Sequence, residues 1–449
     1  MKDRHMPKMP KVTSSKPTER SVKRARIVSS PQDKKGLKPA PQNDLNLVSS
    51  SKGKEKASTK PASEDTTLPT SFKIIAGSYE KLLYGLDGSV SPDEADNGYK
   101  FELQPIFIFP AHVSCIKAVT ASPNGGKWLA TGSADEVIKV WDLRRKKEIG
   151  GLMHHEGSIT QLQFPSRSHL LSASEDGSLC LFRARDWVVL RTLKGHKGRV
   201  NSTAVHPSNK VALSVGKDNT LRMWDLMRGK GSASTKLGKE GEVVRWSTTG
   251  SSFVVQSHNT IDVFTIDMVL RHTITHPSRI HTLRFSKRVN GAGELLLVGA
   301  EDKKLSIYDI PDDPDKMPTI IAEMTGHSNR VKAVEILPLA LPPSTKTNAR
   351  LSTIIVCTVS SDGKIHVYDL ASLPGDLKSG SETLQISPVA EYDTKGTRLT
   401  CVTIADGGVL KDTTSVNGKR KREDEDSEQD DRDEELGAHE PEAEHEDTE

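Results

Sequence analysis

Two stretches of the chain carry the same set of reactive residue types in the same order. The sets are His112, Thr131 and Asp135, and then His196, Ser214 and Asp218. A histidine, a hydroxyl and a carboxylate can act together as base, nucleophile and orienting group in a hydrolase. The recurrence of the set argues against that chemistry. We therefore interpret both sets as structural hydrogen-bond networks, which rigidify a fold when every member has a partner.

The elements that position these residues belong to a repeat. An aspartate followed six residues later by an aromatic occurs five times, as Asp135/Trp141, Asp176/Phe182, Asp218/Trp224, Asp302/Tyr308 and Asp362/Tyr368. The aspartates that we use to mark successive repeats, at residues 142, 186, 225, 267 and 309, are separated by 44, 39, 42 and 42 residues. A period of about 40–45 residues with Gly-His and Trp-Asp signatures is typical of WD40 propeller blades. In such blades the aspartate accepts a hydrogen bond from the loop histidine, which is linked through Ser or Thr to the tryptophan. Trp141 and Trp224 thus complete the two sets.

The number of repeats predicts a closed ring. Inner strands are predicted to begin near Cys115, Ile159, Val200, Val243, Ile280 and Val331. Residues 72–87 indicate two further strands and residues 101–109 an outer strand, with no inner strand of their own. Residues 397–405 supply that strand, which closes the ring and leaves no open sheet edge. The predicted fold is an all-β, seven-bladed WD40 propeller whose C-terminal strand completes the first blade.

Two repeats depart from the pattern. Residues 241–267 have His258 at the hairpin aspartate position and Phe264 at the tryptophan position, so we predict that this blade lacks the network. In the last repeat, residues 339–348 are predicted to form a loop extension between the first two strands. Loops carry partner contacts disproportionately.

Composition separates one large domain from two tails. We assign residues 71–407 to the propeller, and residues 1–70 and 408–449 to disordered tails that are too polar to form a core. Residues 1–70 hold 16 Lys/Arg against 7 Asp/Glu, whereas residues 423–449 hold 16 Asp/Glu and one Arg. The net charge of +3 therefore hides a basic head and an acidic tail.

Both tails contain features that suit a nuclear protein. Two basic clusters resemble nuclear import signals, with solvated charge as the alternative interpretation. They are Lys23, Arg24 and Arg26, and then Lys419, Arg420, Lys421 and Arg422. A basic tail also suits non-specific, salt-dependent contact with RNA phosphate. An acidic tail suits basic ribosomal proteins.

Residue patterns for other functions are missing from the sequence. The four cysteines, Cys115, Cys180, Cys357 and Cys401, have no close pair spacing and are predicted to be reduced and buried. We find no CxxC metal template, phosphate-binding glycine loop or unique nucleophile. The apolar runs have the length of strands, so no membrane span is predicted. We expect no cofactor, no metal and no enzymatic activity.

Four arginines are predicted to lie on one face of the ring. Arg199, Arg279 and Arg330 stand three residues after a loop histidine or its equivalent, and Arg398 stands at the same step before the closing strand. In a propeller this position lies at the top of the innermost strand, so the arginines would rim the central channel. Guanidinium groups suit carboxylates and phosphates. The rim is therefore a candidate site for an acidic peptide or an RNA backbone; the alternative is pairing with neighbouring hairpin aspartates.

Residues 72–406 resemble a particular family. The stretches on which this resemblance rests are FKIIAGSYEKLLYGLDG, ASPNGGKWLATGSADEVIKVWDLRRKKEIGGLMHHEGSITQLQF and LKGHKGRVNSTAVHPSNKVALSVGKDNTLRMWDLMRGK. They resemble the p21-activated kinase-interacting protein family, whose fungal member is the maintenance-of-killer WD40 protein of ribosome assembly. The long basic head lies outside the resemblance.

This resemblance implies a function that spacing and charge do not show. It implies a nucleolar factor for pre-rRNA maturation and large-subunit assembly, acting through pre-ribosomal proteins and assembly factors, as a single propeller within a larger complex. Kinase inhibition by animal relatives leaves a cytoplasmic kinase regulator as one alternative. An adaptor in a chromatin or ubiquitin-ligase complex is another. We therefore expect a nuclear and nucleolar scaffold.

Overall fold

The computed structural model describes residues 68–93, 98–311, 313, 316–343, 350–375 and 383–408. Within these ranges the chain forms β-strands and a short 3-10 helix, Leu370–Ser372. The strands are arranged in seven sheets, which we call blades 1 to 7.

The first four blades each have four strands. Blade 1 contains β1 (Ser71–Ser78), β2 (Leu82–Pro92), β3 (Tyr99–Pro110) and β29 (Leu399–Gly408). Blade 2 contains β4 (Ile116–Ala121), β5 (Trp128–Ser133), β6 (Ile138–Asp142) and β7 (Lys147–Leu152). Blade 3 contains β8 (Ile159–Ser166), β9 (His169–Ser174), β10 (Ser178–Arg183) and β11 (Val189–Lys194). Blade 4 contains β12 (Val200–Val205), β13 (Val211–Gly216), β14 (Thr220–Asp225) and β15 (Lys230–Lys236).

The last three blades follow the same plan with one addition. Blade 5 contains β16 (Val243–Trp246), β17 (Ser252–Ser257), β18 (Thr260–Thr265) and β19 (Leu270–Thr275). Blade 6 contains β20 (Ile280–Lys287), β21 (Glu294–Ala300), β22 (Leu305–Ile310), β23 (Thr319–Met324) and β27 (Leu384–Ile386). Blade 7 contains β24 (Val331–Ala340), β25 (Ser352–Ser360), β26 (Lys364–Asp369) and β28 (Ala390–Asp393). The parallel strand β27 on the outer edge of blade 6 was not predicted.

Burial changes from the second strand of a blade to its outer strand. In blade 4, five consecutive residues of β13 are buried, whereas every residue of β15 is exposed. A strand covered by neighbouring blades on both faces needs apolar or hydrogen-bonded residues at every position rather than at every second one. This explains the run VALSVG in β13 and the polar run KGSASTK in β15.

Seven apolar clusters join the blades, one at each junction. Leu83 and Ile116 meet at the junction between blades 1 and 2. Phe72 of blade 1 and Val359 of blade 7 belong to the cluster that joins the last blade to the first. The blades therefore form a closed ring, and the prediction of a seven-bladed propeller is confirmed.

The C-terminal strand closes this ring as predicted. Strand β29 pairs antiparallel with β1, from Phe72 opposite Asp406 to Gly77 opposite Cys401. The strand begins two residues later and ends three residues later than the predicted segment 397–405, because its pairing continues to Ser71 opposite Gly408. Residues that begin and end the domain thus share one sheet.

The predicted loop extension in blade 7 begins too early. Leu339 and Ala340 belong to β24 and pair with Thr353 and Ser352 of β25. Leu339 is fully buried in the cluster between blades 7 and 1, which keeps it in the strand. Residues 344–348 of the predicted loop lie outside the described residues.

Candidate partner-binding face

The predicted network of blade 4 has all four members in contact. His196 Nδ1 lies 3.0 Å from Asp218 Oδ1, and His196 Nε2 lies 2.7 Å from Ser214 Oγ. Trp224 Nε1 donates to the same Ser214 oxygen at 2.8 Å. A neutral histidine that donates from Nδ1 and accepts at Nε2 gives each group a partner. The network ties the loop before β12 to the β13–β14 hairpin.

Blade 2 repeats this arrangement. His112 Nδ1 lies 3.0 Å from Asp135 Oδ2, and His112 Nε2 lies 2.8 Å from Thr131 Oγ1. Trp141 Nε1 donates to Thr131 Oγ1 at 3.0 Å. In both blades the hydroxyl has no solvent exposure. A buried hydroxyl that already accepts from an indole cannot reach a substrate, which agrees with the structural interpretation.

Two further networks were missed in the sequence. In blade 3, His155 contacts Asp176 at 2.8 Å and Ser172 at 2.7 Å. In blade 7, His327 contacts Asp362 at 3.2 Å and Thr358 at 2.8 Å. Their aromatic positions are Phe182 and Tyr368. The sequence feature that could have revealed these networks is a Ser or Thr four residues before the hairpin aspartate, as in blades 2 and 4.

Blade 6 uses a shorter network. The position four residues before Asp302 is Val298, which has no hydroxyl. His276 instead contacts Asp302 through Nε2 at 3.1 Å and the Tyr308 hydroxyl through Nδ1 at 2.9 Å. The tyrosine supplies the oxygen that Ser or Thr supplies in the other blades.

Blade 5 lacks the histidine network, and a lysine takes its place. Lys239 stands where the other blades have the loop histidine, and its Nζ lies 2.8 Å from both Asp262 Oδ2 and Thr260 Oγ1. Thr273 Oγ1 donates to the other oxygen of Asp262 at 2.8 Å. His258, at the predicted hairpin position, lies in the left-handed region with φ 55. An ion pair therefore connects the same loop to strand β18.

Electrostatics match the hydrogen-bond pattern. Burial lowers the pKa of His196 and outweighs its contact with Asp218, so the ring is neutral at neutral pH. Burial alone would raise the pKa of Asp218, but hydrogen bonds from Lys197 N, His196 and Thr220 lower that pKa to about 2. The folded state thus holds an ionised carboxylate against a neutral ring. Gly216 lets the loop before β12 approach this closely, because a Cβ there would lie 2.6 Å from Arg199 O and 3.1 Å from His196 Nδ1.

We expect Asp218→Ala to lower the free energy of unfolding by about 1–3 kcal/mol, because His196 and the Lys197 amide lose their acceptor. Denaturant titration of the purified protein measures this change. Asp267→Ala is the control, since Asp267 is exposed in the β18–β19 turn, and a change within about 0.5 kcal/mol is expected. Equal stability of Asp218→Ala and wild type would contradict the network.

The four predicted arginines stand at equivalent positions of the ring. Each directly precedes the inner strand of its blade, and each is exposed. They are Arg199 before β12, Arg279 before β20, Arg330 before β24 and Arg398 before β29. We call them the arginine rim, and we call the side of the propeller that carries them the rim face. The turns between the first and second strands, and between the third and fourth, lie at the opposite ends of the strands.

Three rim arginines form ion pairs with glutamates of nearby loops. Arg199 pairs with Glu240 at 3.1 Å and Arg279 with Glu242 at 3.2 Å. The carboxylates are therefore loop glutamates, not the hairpin aspartates of the alternative interpretation. Exposed pairs of this kind contribute about 0–1 kcal/mol. A partner carboxylate can thus replace the glutamate at low cost.

The third ion pair belongs to Arg398, whereas Arg330 has none in the described part of the chain. Arg398 pairs with Glu80 at 3.2 Å and lies over the ring of Tyr79, with 4.3 Å between guanidinium carbon and ring centroid. Arg330 donates from Nε to Ser361 Oγ at 3.3 Å and has no carboxylate partner among the described residues. The rim therefore combines three exchangeable ion pairs with one unpaired guanidinium.

Comparison with known proteins places this propeller in a family. The WD40 model "WD domain, G-beta repeat" matches residues 103–142, 146–183 and 187–225. A p21-activated protein kinase-interacting protein 1-like from Danio rerio is 32% identical over 349 residues, covering 78% of this chain and 84% of that protein. Protein MAK11 from Saccharomyces cerevisiae is 33% identical over 386 residues, covering 76% and 85%. Shk1 kinase-binding protein 15 from Schizosaccharomyces pombe is 30% identical over 304 residues, covering 66% and 77%.

The chain belongs to the p21-activated protein kinase-interacting protein 1-like family of WD40 proteins. The family assignment made from the sequence is confirmed. The matched repeats run from within β3 of blade 1 to the end of β14 in blade 4 and include the networks of His112, His155 and His196.

The cysteines of this WD40 protein are free thiols, and three of them are buried. Burial raises the pKa of Cys180 to about 11 and that of Cys401 to about 12, so both remain protonated. Cys115 is partly exposed, contrary to prediction, because it lies in the loop before β4. Across the part of the chain that the structure describes, no group of His, Cys, Asp or Glu is arranged to hold a metal ion. No helix in that part is long and apolar enough to span a membrane.

Several predicted features lie outside the described residues. The two predicted import signals, Lys23 to Arg26 and Lys419 to Arg422, are among them. The acidic run 423–449 also lies there. These features remain predictions.

Proposed function

We propose that this WD40 protein is a non-catalytic scaffold in nucleolar assembly of the large ribosomal subunit and in pre-rRNA maturation. It acts by binding pre-ribosomal proteins and assembly factors through its rim face. The observation that carries the proposal is the arginine rim, set on a rigid ring whose sequence similarity spans 85% of Protein MAK11. The sequence resemblance to the ribosome-assembly family supplies the process.

The geometry of the rim face suits protein partners. Four guanidinium groups stand at the starts of rigid inner strands, and each can form a paired hydrogen bond with a carboxylate. A pocket of about 640 Å³ beside Arg199 adds Lys197 and Lys217 to the same face, and the carboxylates of Glu175 and Asp218, which line it too, are already bound to Lys117 and to His196. These cations favour a partner with acidic segments. The basic tail, as a separate part of the proposal, contacts RNA phosphate.

Nuclear and nucleolar localisation belongs to the same proposal. The clusters at Lys23 to Arg26 and at Lys419 to Arg422 match the composition of import signals. A scaffold for nucleolar particles must reach them, so the clusters are assigned to import.

Kinase binding is a second candidate function. Two relatives are named for it: a p21-activated protein kinase-interacting protein 1-like and Shk1 kinase-binding protein 15. A kinase regulator would use the same exposed face but would not need to associate with ribosomal precursors.

Affinity purification of the tagged full chain from its own cells distinguishes the two candidates. We expect large-subunit proteins, assembly factors and precursor rRNA to co-purify. A protein kinase recovered in equal amount to the tagged chain, without ribosomal precursors, would overturn the scaffold proposal. Recovery of histones or a ligase scaffold in their place would overturn both candidates.

A further inference from the structure

The inner strands share an irregularity just below the arginine rim. In blades 1, 2, 3, 4, 6 and 7 the pairing register of the inner strand shifts by one residue, which leaves one residue unpaired at the inner edge of the sheet. These residues, which we call the bulge ring, are Lys117, Thr160, Asn201, His281, Lys332 and Thr400. A β-bulge re-aims the side chain of the extra residue. Each member lies two residues after the residue that directly precedes the inner strand, which is the position of the rim arginines in four blades.

Two polar members of the bulge ring, Lys117 and Asn201, have partners in the next blade or in the loop before it. Lys117 Nζ lies 2.9 Å from Glu175 of the next blade. Asn201 Nδ2 donates to Glu240 Oε1 and Gly241 O before the next blade, both at 2.8 Å. His281 Nε2 lies 3.4 Å from Glu301 of its own blade, but it has no hydrogen-bond partner among the described residues. The lysine of blade 2 and the asparagine of blade 4 are therefore fixed by groups of a neighbouring blade or loop.

Lys332 does not follow this pattern. Its ammonium group has no hydrogen bond and no ion pair among the described residues, although the side chain is partly buried. Burial lowers the pKa of Lys332, and repulsion from Arg330 and Arg279 lowers it further, while Glu301 opposes the shift. A cation held beside two other cations without a contacting carboxylate has unused capacity for an anion.

Among the described residues, the ion pairs of the other rim and bulge-ring cations leave blade 7 without a carboxylate for its two cations. Arg199, Arg279 and Arg398 each have a glutamate, and Lys117 has Glu175. Arg330 has only the Ser361 hydroxyl as a side-chain acceptor. Among the rim and bulge-ring cations, the two without a contacting carboxylate are thus Arg330 and Lys332, two residues apart at the start of blade 7.

We propose that Arg330 and Lys332, with Arg279 beside them, form a carboxylate-binding site for a Glu or Asp side chain in an acidic segment of a protein partner. The proposal deepens the proposed function and rests on it only for the identity of the protein that carries the segment. One guanidinium and one ammonium group match a single carboxylate in charge and in donors.

The surroundings favour a peptide over RNA. Glu242 and Glu301 lie close to the same cations and would repel the phosphate of every neighbouring nucleotide, whereas a peptide can offer backbone N–H groups to these two carboxylates. Single-stranded nucleic acid also binds through aromatic side chains that stack on successive bases. The three residues of the site are aliphatic cations without such a platform.

Fluorescence anisotropy with the purified full chain tests the site directly. The probes are labelled decaglutamate and labelled decauridylate at low salt. We expect the chain to bind decaglutamate more tightly, and Lys332→Met to weaken this binding about tenfold, since a charged hydrogen bond is lost. Lys117→Met is the matched control, because this lysine occupies the same bulge position but is already paired with Glu175. We expect its affinity to stay within about twofold of wild type.

Three results would overturn the site. One is unchanged affinity of a folded Lys332→Met variant, with folding checked by thermal unfolding. Another is equal weakening by Lys117→Met, which would show general charge attraction. The third is tighter binding of decauridylate that depends on Lys332, which would assign the site to RNA. Purified components suffice, so weakening by Lys332→Met alone supports the site even if the chain fails to co-purify with ribosomal precursors.

Discussion

A chain that ends at Arg398 is expected to lose its cooperative thermal unfolding transition. This truncation removes β29, whose Leu399, Val402 and Ile404 are buried, and uncovers Phe72 and Ile74 of β1. Each buried apolar side chain of this size contributes about 1.5–3 kcal/mol. A whole domain is stable by only about 5–15 kcal/mol. Circular dichroism during heating measures the transition.

A chain that ends at Gly408 is the matched control. It keeps the full pairing of β29 with β1 and lacks only the residues after the ring. We expect a cooperative transition with the midpoint of the full chain. An unchanged transition in the chain that ends at Arg398 would show that the C-terminal strand is not needed to close the ring.

Replacement of all four rim arginines by alanine is expected to abolish partner capture without unfolding the propeller. The side chains of Arg199, Arg279, Arg330 and Arg398 are exposed, and their ion pairs contribute little to stability. Each charged hydrogen bond lost from a partner contact costs about 1.5–3 kcal/mol, so two lost contacts weaken binding by at least about a hundredfold. Quantitative mass spectrometry of proteins purified with equal amounts of folded bait measures the loss.

Four arginines at the opposite ends of the strands provide the control. They lie in exposed turns between the first and second or the third and fourth strands of blades 2 to 4. They are Arg145, Arg167, Arg185 and Arg228. We expect their replacement by alanine to leave capture intact. Loss of capture in the control variant, together with normal capture by the rim variant, would move the binding surface to the opposite face.

The repeat spacing was sufficient to predict the ring. Predicted inner strands begin at the observed residue in blades 3 to 7 and one residue early in blade 2, at Cys115 instead of Ile116. The aspartate–aromatic interval locates the hairpin between the second and third strands, and the strands on either side follow from alternation. Closure was predictable because blade 1 had outer strands but no inner strand before residue 397.

Substitutions within the repeat were harder to predict. Lys239 replaces a histidine and finds Asp262, which lies on β18 rather than in the hairpin. A search for aspartate at one fixed position therefore misses it. Tyr308 replaces both a serine and a tryptophan, because its hydroxyl reaches His276 directly.

The repeat spacing does not predict which side chains contact each other between blades. Arg279 pairs with Glu242, which belongs to the preceding blade, and no spacing rule relates the two. The bulge ring depends on a register shift between paired strands, which alternation within one strand does not reveal. The unpaired state of Lys332 depends on which carboxylates the nearby cations contact, and those contacts join residues that are distant in the sequence.

Sucrose-gradient sedimentation of cell extract tests the central claim most directly. The tagged wild-type chain and the rim variant are expressed at equal levels and followed through the gradient together with precursor rRNA. We expect the wild-type chain to sediment with large-subunit precursors and the rim variant to shift to the light fractions. A wild-type chain that stays in light fractions with a protein kinase would contradict the ribosome-assembly scaffold.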